Sequence, residues 1–447
     1  MPDVIALPDP GLGNTSWLVP LGDGSALVVD PRRDPRPYLA AAAGRGLRIR
    51  TVAETHLHAD FVSGARELAA ASGAQIVAAA DADLAFAHHA VRDHDEVDLG
   101  GLTLQVVATP GHTPEHVAYL LADGPTPLAL FSGGTLVRGG VARPDLIAPQ
   151  RTHPLARAAW RSITTRLLAL PDDLPVHPTH GGGSFCAVAA PGPAATTIGA
   201  ERAGNPLLQA PSEDAFVDAL LGGLGSYPGY FLRLRDVNRA GPRRYGTVTP
   251  ALAELTAGDV DELVRGGAVV VDVRPVTAFA VAHVPGALSV ELRDSFATWL
   301  GWLVDDPATP LVFVVGDDQD RDDLVRQCLG IGYEHLAGVL TGGIAGWTAA
   351  GRATTSTALL DRPEGDGALL DVRQASEWRQ GHAAGALHIE LGTLAARAAE
   401  VPAGRVVAHC VHGQRAMTAA SVLERAGRDD VAVLAGSPEQ WDAGTAA

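Results

Sequence analysis

Residues 406–421 are Val-Val-Ala-His-Cys-Val-His-Gly-Gln-Arg-Ala-Met-Thr-Ala-Ala-Ser, and they hold the most informative motif of the chain. The apolar run 406–408 predicts a strand, and the Ala-rich stretch after Arg415 predicts a helix. Cys410 would then lie at a helix N-terminus, where backbone N–H groups and the helix dipole favour the thiolate. Arg415 is a candidate to bind an anionic substrate. The pattern predicts an activated thiolate nucleophile, with a buried structural cysteine as the alternative.

The motif Cys410-x-x-Gly413-x-Arg415 resembles the active-site loop of the rhodanese sulfurtransferases, as do the upstream landmarks Asp371-Val372-Arg373 and His382-x-x-Gly385-Ala386. The resemblance implies that Cys410 carries a sulfane sulfur as a persulfide, with Arg415 as the second catalytic residue. It also implies a substrate-binding loop made of Val411, His412, Gly413 and Gln414.

The same landmarks occur earlier, as Asp272-Val273-Arg274 and His283-x-x-Gly286-Ala287, at an offset of 99 residues (371 − 272). Two copies of one α/β unit follow from this repeat. The first copy has Val-Val-Gly-Asp-Asp-Gln-Asp-Arg at 314–321 in place of the cysteine loop. We expect Gly316 to take the nucleophile's place and the carboxylates to repel an anionic substrate, so this copy should be chemically silent. Cys328 is expected to be a packing residue.

Histidines follow three predicted strands in the first half of the chain. They belong to the segments Thr-His-Leu-His-Ala-Asp-Phe at 55–61, Gly-His-Thr-Pro at 111–114 and His-Gly-Gly-Gly-Ser-Phe-Cys at 180–186. Histidines at the ends of successive strands predict a metal cleft at the rim of a sheet. Asp60 is a further ligand or an orienting carboxylate. Cys186 is either a thiol beside this cleft or a half-buried cysteine after a Gly-rich turn.

These segments resemble the metallo-β-lactamase fold and, more narrowly, the persulfide dioxygenases, including the branch fused to rhodanese domains. The resemblance implies one iron ion held by His56 and His112, with zinc as the alternative. His58, Asp60, His180 and Cys186 are auxiliary candidates at the metal or cleft.

Two positions depart from that family's pattern. Gly134 stands where the family has an aspartate ligand, and Phe61 stands where a second-metal histidine is usual. We therefore expect at most one metal ion. We also expect that Gly134→Asp would raise iron occupancy.

Composition excludes some classes of function. The chain has 447 residues and a net charge of −17, and it lacks lysine, so we expect no nucleic-acid partner. Three cysteines, distant from one another, do not suggest a disulfide framework. We find no export signal and no apolar run of about 18 residues, which favours a cytoplasmic protein without a membrane partner.

The sequence thus predicts an α/β protein, a metallo-β-lactamase αββα sandwich followed by two rhodanese-like α/β domains. The expected domains are 1–245, 246–355 (inactive) and 356–447 (active). The expected function is sulfur transfer through a Cys410 persulfide, coupled to an iron-dependent dioxygenase-like domain. A sulfurtransferase with a catalytically dead binding domain, or a zinc-dependent thioester hydrolase, are the alternatives. The expected partners are a small-molecule thiol persulfide, thiosulfate or sulfite, and the oligomeric state, including a homo-oligomer, stays open.

Overall fold

A computed structural model describes residues 3–362 and 367–434. The chain divides into two compact units. The first extends to Thr249 and the second begins at Pro250, apart from Leu329–Gly332, which group with the first unit. The part of the third predicted domain at 363–366 and 435–447 lies outside the described residues.

The first unit begins with a six-stranded sheet, in the order β1-β2-β3-β4-β5-β6. Its first three strands are antiparallel and the remainder are parallel. The strands are β1 (Ile5–Asp9), β2 (Asn14–Pro20), β3 (Ser25–Val29), β4 (Arg48–Glu54), β5 (Gln75–Ala79) and β6 (His89–Val91).

A second six-stranded sheet has the order β14-β12-β10-β9-β8-β7, and β11 and β13 form a separate pair. The strands are β7 (Glu96–Asp98), β8 (Thr103–Ala108), β9 (Val117–Asp123), β10 (Thr126–Gly133), β11 (Val141–Ala142), β12 (Pro175–Pro178), β13 (Ala187–Val188) and β14 (Thr196–Thr197).

Helices cover the outer faces of both sheets. They are α1 (Arg36–Ala43), α2 (Ala65–Ser72), α3 (Pro149–Arg161), α4 (Ile198–Gly204), α5 (Glu213–Gly222) and α6 (Phe231–Ala240). One apolar core joins the facing sheets and includes Trp17 and Phe131. A second core packs Tyr38 of α1 against the first sheet, and a third packs Phe216 of α5 against the second sheet. This layering confirms the predicted αββα sandwich.

The second unit contains two five-stranded parallel sheets with equivalent strand orders, β15-β19-β18-β16-β17 and β20-β24-β23-β21-β22. The strands are β15 (Glu254–Leu255), β16 (Val269–Asp272), β17 (Leu288–Ser289), β18 (Leu311–Val314), β19 (Leu336–Leu340), β20 (Ala358–Leu360), β21 (Ala368–Asp371), β22 (Leu387–His388), β23 (Val406–His409) and β24 (Val431–Leu434). The matching order confirms that the second half of the chain is a repeat.

Helices connect these parallel strands, as right-handed crossovers require. They are α7 (Ala257–Arg265), α8 (Val276–Val281), α9 (Phe296–Leu303), α10 (Arg321–Gly330), α11 (Gly343–Ala349), α12 (Ala375–Gln380), α13 (Leu391–Arg397) and α14 (Gln414–Arg425). None of the helices in the described ranges has the length and apolar character needed to span a bilayer.

Candidate functional sites

The histidine cleft of the first unit is built from loops that follow strands of both sheets. His56 follows β4, His112 follows β8 and His180 follows β12. Their ring centroids lie 4.8 Å (His56 to His112), 5.3 Å (His56 to His180) and 5.2 Å (His112 to His180) apart. All three side chains are buried. The structure therefore brings both predicted metal ligands together, with His180 as their neighbour.

Each of these three rings is fixed through its Nδ1 atom. His56 Nδ1 lies 2.8 Å from Thr55 Oγ1, His112 Nδ1 lies 2.6 Å from the Arg143 carbonyl, and His180 Nδ1 lies 3.0 Å from Asn14 Oδ1. Burial and the neighbouring imidazoles hold the pKa values of His56 and His112 well below their usual range. The site thus offers neutral imidazoles, the form in which histidine binds a metal.

His58 lies beside this cleft and faces two carboxylates with its Nε2 atom. Its Nε2 lies 3.3 Å from Asp30 Oδ1 and 3.2 Å from Glu54 Oε2. Burial alone would lower the pKa of His58, but Asp30 and Glu54 outweigh it and raise that pKa to about 10. Phe61 stacks on the ring at a centroid distance of 4.2 Å. One ligand atom of His58 also lies within 4.8 Å of ligand atoms of His56 and His180, so this ring lies between the carboxylate pair and the cleft.

Asp60 lies on the Nδ1 side of His180. Its Oδ2 accepts a 2.8 Å hydrogen bond from Asn14 Nδ2 and lies 3.3 Å from His180 Nδ1. This is the position of a carboxylate that orients a histidine ligand.

Cys186 is fully buried, deeper than the half-buried position that the packing alternative expected. Its sulfur lies within 4.8 Å of ligand atoms of His112 and His180, in one of the metal-competent groups of the described residues. Burial raises the pKa of the Cys186 thiol well above its usual value, and the Asp60 charge acts in the same direction. Cys186 is therefore a protonated thiol beside the cleft.

Helix α6, near the end of the first predicted domain, holds the backbone of the histidine loop. Asn238 donates to the carbonyls of His58 (2.8 Å) and Phe61 (2.9 Å) and accepts from the Ser63 amide (2.9 Å). Arg235 pairs with Glu115 at 3.1 Å. Nothing in the sequence pattern connects these distant residues with the loop at 56–63.

His116, two residues after the Gly-His-Thr-Pro segment, was not among the predicted site residues. It stacks on His56 at a centroid distance of 4.8 Å, and its Nε2 accepts from the Gly134 amide at 3.0 Å. Because its Nε2 atom already accepts this hydrogen bond, His116 supports the cleft by packing behind the ring of His56.

The cysteine loop of the second unit has the predicted order of strand, loop and helix. Cys410 follows β23 and is 2% exposed. Gly413 adopts a left-handed conformation with φ of 87° and precedes α14. The left-handed turn lets the chain pass directly from the cysteine into the helix N-terminus.

Arg415 is not a free cation. It forms two hydrogen bonds with Glu377, Nη1 to Oε2 at 2.5 Å and Nη2 to Oε1 at 2.8 Å. Its guanidinium also lies 5.8 Å from the ring centroid of Trp299, which belongs to the first copy. Of the loop residues between Cys410 and Arg415, His412 is exposed and Val411 and Gln414 are partly exposed.

The equivalent loop of the first copy corrects one expectation. Asp272 pairs with Val314 in the sheet register, and Asp371 pairs with His409. Val315 therefore occupies the place of Cys410, and Gly316 lies one residue later. The error arose because this loop has six residues (315–320) between its strand and helix and the cysteine loop has four (410–413). The nucleophile is absent in either alignment.

The first copy's loop is closed by its own side chain. Gln319 Oε1 accepts from the Gly316 amide at 2.9 Å, and its Nε2 donates to the Val273 carbonyl at 2.6 Å. Cys328, in α10, is fully buried, and burial raises the pKa of its thiol. These contacts agree with a silent copy and a packing cysteine.

Comparisons with known proteins match both units. The metallo-beta-lactamase superfamily model covers residues 8–180, and the rhodanese-like domain model covers residues 256–350 and 355–444.

A hydroxyacylglutathione hydrolase of Methylobacillus flagellatus is 43% identical over 157 residues, 34% of this chain and 60% of the relative. The chain thus spans three-fifths of this curated relative. A metallo-beta-lactamase of Staphylococcus aureus has a solved structure with a TM-score of 0.67 and 28% identity, covering 76% of this chain and 98% of that one. ETHE1 from Myxococcus xanthus has a TM-score of 0.47 and 28% identity, covering 53% of this chain and 98% of its own.

Proposed function

Because the chain belongs to the metallo-beta-lactamase superfamily and carries two rhodanese-like domains after that domain, we propose that it is an enzyme of sulfane-sulfur metabolism. Cys410 transfers the sulfur, and the first unit acts on a related sulfur compound at a single metal ion. The observation that carries the proposal is the placement of Cys410 between β23 and the N-terminus of α14.

Sulfur transfer through Cys410 takes two balanced steps. The Cys410 thiolate attacks the outer sulfur of a thiol persulfide or of thiosulfate, the S–S bond breaks, and a thiolate or sulfite leaves. The product is a Cys410 persulfide. An acceptor thiolate, sulfite or cyanide then attacks the outer sulfur, and the Cys410 thiolate leaves with the bonding electron pair. Helix N–H groups stabilise the thiolate at both stages.

The metal proposed for the first unit is one divalent cation. Neutral buried imidazoles suit iron or zinc, and the resemblance to persulfide dioxygenases favours iron. Bound iron would supply the site for O₂ and a persulfide sulfur. Phe61, which stands where a second-metal histidine is usual, stacks on His58 and offers no ligand atom for a second ion. The fully buried Cys186 thiol, which lies beside this cleft, lines the same space.

A thioester hydrolase is the second candidate for the first unit, because a hydroxyacylglutathione hydrolase is 43% identical to it over 157 residues. A first unit that only binds a partner, leaving a pure sulfurtransferase, is the third. Purification without oxygen and elemental analysis separate these. One iron per chain with persulfide-dependent O₂ uptake supports the dioxygenase, whereas zinc with cleavage of a hydroxyacylglutathione thioester supports the hydrolase.

The sulfur-transfer proposal is tested with thiosulfate as donor and cyanide as acceptor. We expect Cys410→Ser to lower thiocyanate formation by at least about 1,000-fold, as loss of a nucleophile does. Cys328→Ser is the matched control and should retain activity, because Cys328 lies in a helix core. Thiocyanate formation by Cys410→Ser at the wild-type rate would refute the proposal.

A further inference from the structure

We infer that the first unit binds its cation through three imidazole nitrogens, Nε2 of His56, His112 and His180, in place of a site that contains a carboxylate ligand. This inference rests on the metal binding proposed above and adds the identity of the third ligand. The sequence alone leaves the third ligand position on the cation unassigned, because Gly134, which stands where the family has an aspartate ligand, has no side chain.

The hydrogen bonds on the Nδ1 side set the tautomer of each ring. A carbonyl only accepts, so His112 Nδ1 must donate to the Arg143 oxygen. The Thr55 hydroxyl donates its own proton to Asp30 Oδ2 at 2.7 Å, so His56 Nδ1 donates to Thr55 Oγ1. A neutral imidazole with a protonated Nδ1 carries a lone pair on Nε2.

His180 is fixed by the same logic through one further step. Asn14 donates from Nδ2 to Asp60, which leaves its Oδ1 facing His180 Nδ1. That nitrogen therefore donates, and the Nε2 of His180 is also a bare acceptor. Three rings from three loops thus share one protonation pattern.

His180 connects the other two rings, because it places ligand atoms within 4.8 Å of those of His56 in one group and of those of His112 in another. His56 Nε2 and His180 Nε2 lie 3.3 Å apart. His112 Nε2 is buried and has no hydrogen-bond partner among the described residues. Two lone pairs at this distance repel unless a cation lies between them, and a buried acceptor without a partner costs about 1–3 kcal/mol. A shared divalent cation removes both costs.

The space at position 134 has been closed to a carboxylate. A Cβ atom built on Gly134 would lie 2.9 Å from the Ala142 methyl, 2.9 Å from His112 Cδ2 and 3.1 Å from His180 Cδ2. Carbon atoms pack at roughly 3.5–4.0 Å. Ala142 and the two rings therefore fill the room in which an aspartate would begin, so the expectation that Gly134→Asp alone raises metal occupancy is replaced by the opposite one.

The ligand set determines which further ligand the cation takes. Three neutral imidazoles leave its double charge uncancelled in the first coordination sphere, and the Asp60 carboxylate acts only from behind His180. The free positions should therefore favour an anion that binds through one atom, such as a thiolate or a persulfide sulfur.

Titration with cobalt(II) or zinc(II), against a competing chelator, tests the ligand set without any assay of activity. We expect His180→Ala to lower affinity by at least about 100-fold, the upper range seen when an outer-shell partner of a ligand is lost. His56→Ala and His112→Ala should lose as much. His153→Ala, an exposed histidine on α3, is the control and should bind as wild type. Thermal unfolding of each metal-free protein shows whether it is folded.

A second pair of variants separates ligation from a general loss of structure. Gly134→Asp should weaken cation binding, and Gly134→Asp with Ala142→Gly should recover part of it, because the second change removes the blocking methyl while the rings of His112 and His180 remain. Wild-type affinity in a folded His180→Ala protein, or tighter binding by Gly134→Asp alone, would overturn the inference. Failure of the wild type to bind either ion would overturn the proposed metal site as well.

Discussion

The two rhodanese-like copies share a scaffold and differ in one loop. In the first copy, Arg274 Nη2 donates to Asp272 at 2.6 Å and to the Ala282 carbonyl at 2.8 Å. In the second, Arg373 Nη2 donates to Asp371 at 2.6 Å and to the Gly381 carbonyl at 2.8 Å. The contacts that shape the fold have been kept in both copies. The proposed chemistry lies in the loop that follows the central strand of each sheet, β18 in the first copy and β23 in the second. The scaffold and the proposed activity are therefore separable.

The loops differ in more than the nucleophile. The cysteine loop passes through a left-handed glycine and opens onto a helix N-terminus, whereas in the silent loop Gln319 occupies the Gly316 amide. An amide that already has an acceptor cannot stabilise a substrate anion.

Exchange of the loops should have the largest effect. With Cys410 retained, we expect replacement of Val-His-Gly at 411–413 by Gly-Asp-Asp-Gln-Asp from 316–320 to lower kcat/KM for thiosulfate at least about 100-fold. Loss of a fixed N–H donor to a developing anion has this cost, and the carboxylates add repulsion. Thiocyanate formation measures it. Retention of wild-type turnover would show that the cysteine alone carries the difference between the copies.

Substitutions in the Arg415–Glu377 pair should have the next largest effect, and the two variants should act in opposite directions. Arg415→Gln leaves the Glu377 carboxylate near the cysteine, and we expect about tenfold lower kcat/KM for thiosulfate. Glu377→Gln frees the Arg415 charge and should lower KM for this dianion.

Comparison of thiosulfate with a simple alkyl persulfide is the control, because charge effects should be weaker for a monoanion than for a dianion. Equal losses in both variants, with either donor, would assign the pair a structural role only.

The repeated histidines His283 and His382 should differ in their contribution to stability. His283 is buried, with Nε2 2.8 Å from Glu424 and Nδ1 2.8 Å from the Phe279 carbonyl, whereas His382 is exposed. We expect His283→Ala to cost about 1.5–3 kcal/mol of unfolding free energy and His382→Ala less than about 0.5 kcal/mol. Denaturant unfolding measures both, and equal costs would contradict this comparison.

The His283–Glu424 contribution should depend on pH. Burial would raise the pKa of Glu424, but hydrogen bonds from His283 and Gly286 outweigh it and lower that pKa below its ordinary 4.5. A carboxyl whose pKa is depressed by folding stabilises above its unfolded value and loses this effect as pH falls through the folded value. The difference between wild type and His283→Ala should therefore be full at pH 7 and shrink below pH 4.5. A difference that is unchanged at pH 3.5 would remove Glu424 from the explanation.

The smallest effect is expected from Val315→Cys. It restores a sulfur at the nucleophile's place, but Gln319 still closes the loop. We expect no thiocyanate formation in a Cys410→Ser background. Activity from this variant would show that the silent loop lacks only its cysteine.

Much of the fold could be predicted because local patterns specify it. The apolar run at 406–408 corresponds to β23, and the repeated Asp-Val-Arg landmarks revealed the second copy. The nucleophile's position in the first copy was misplaced because the two copies were matched without gaps. The loop of the first copy is two residues longer than the cysteine loop, so the sequences fall out of register after the strand. No landmark residue in that loop restores the register.

The details of the histidine cleft depend on contacts between residues far apart in the sequence. Asn14 contacts His180 although 166 residues separate them in the sequence, and Asp30 pairs with His58 beside the cleft. The loss of a carboxylate at Gly134 was visible in the sequence, but the crowding of that position by Ala142, His112 and His180 appears only when their segments are placed together.

The central claim is that one cysteine of three carries the transferred sulfur. The full chain is treated with thiosulfate, its persulfides are alkylated, and the digested peptides are analysed by mass spectrometry. We predict one additional sulfur atom on the peptide that contains Cys410 and none on those with Cys186 or Cys328. Additional sulfur on Cys186 or Cys328 with Cys410 unmodified would contradict the account.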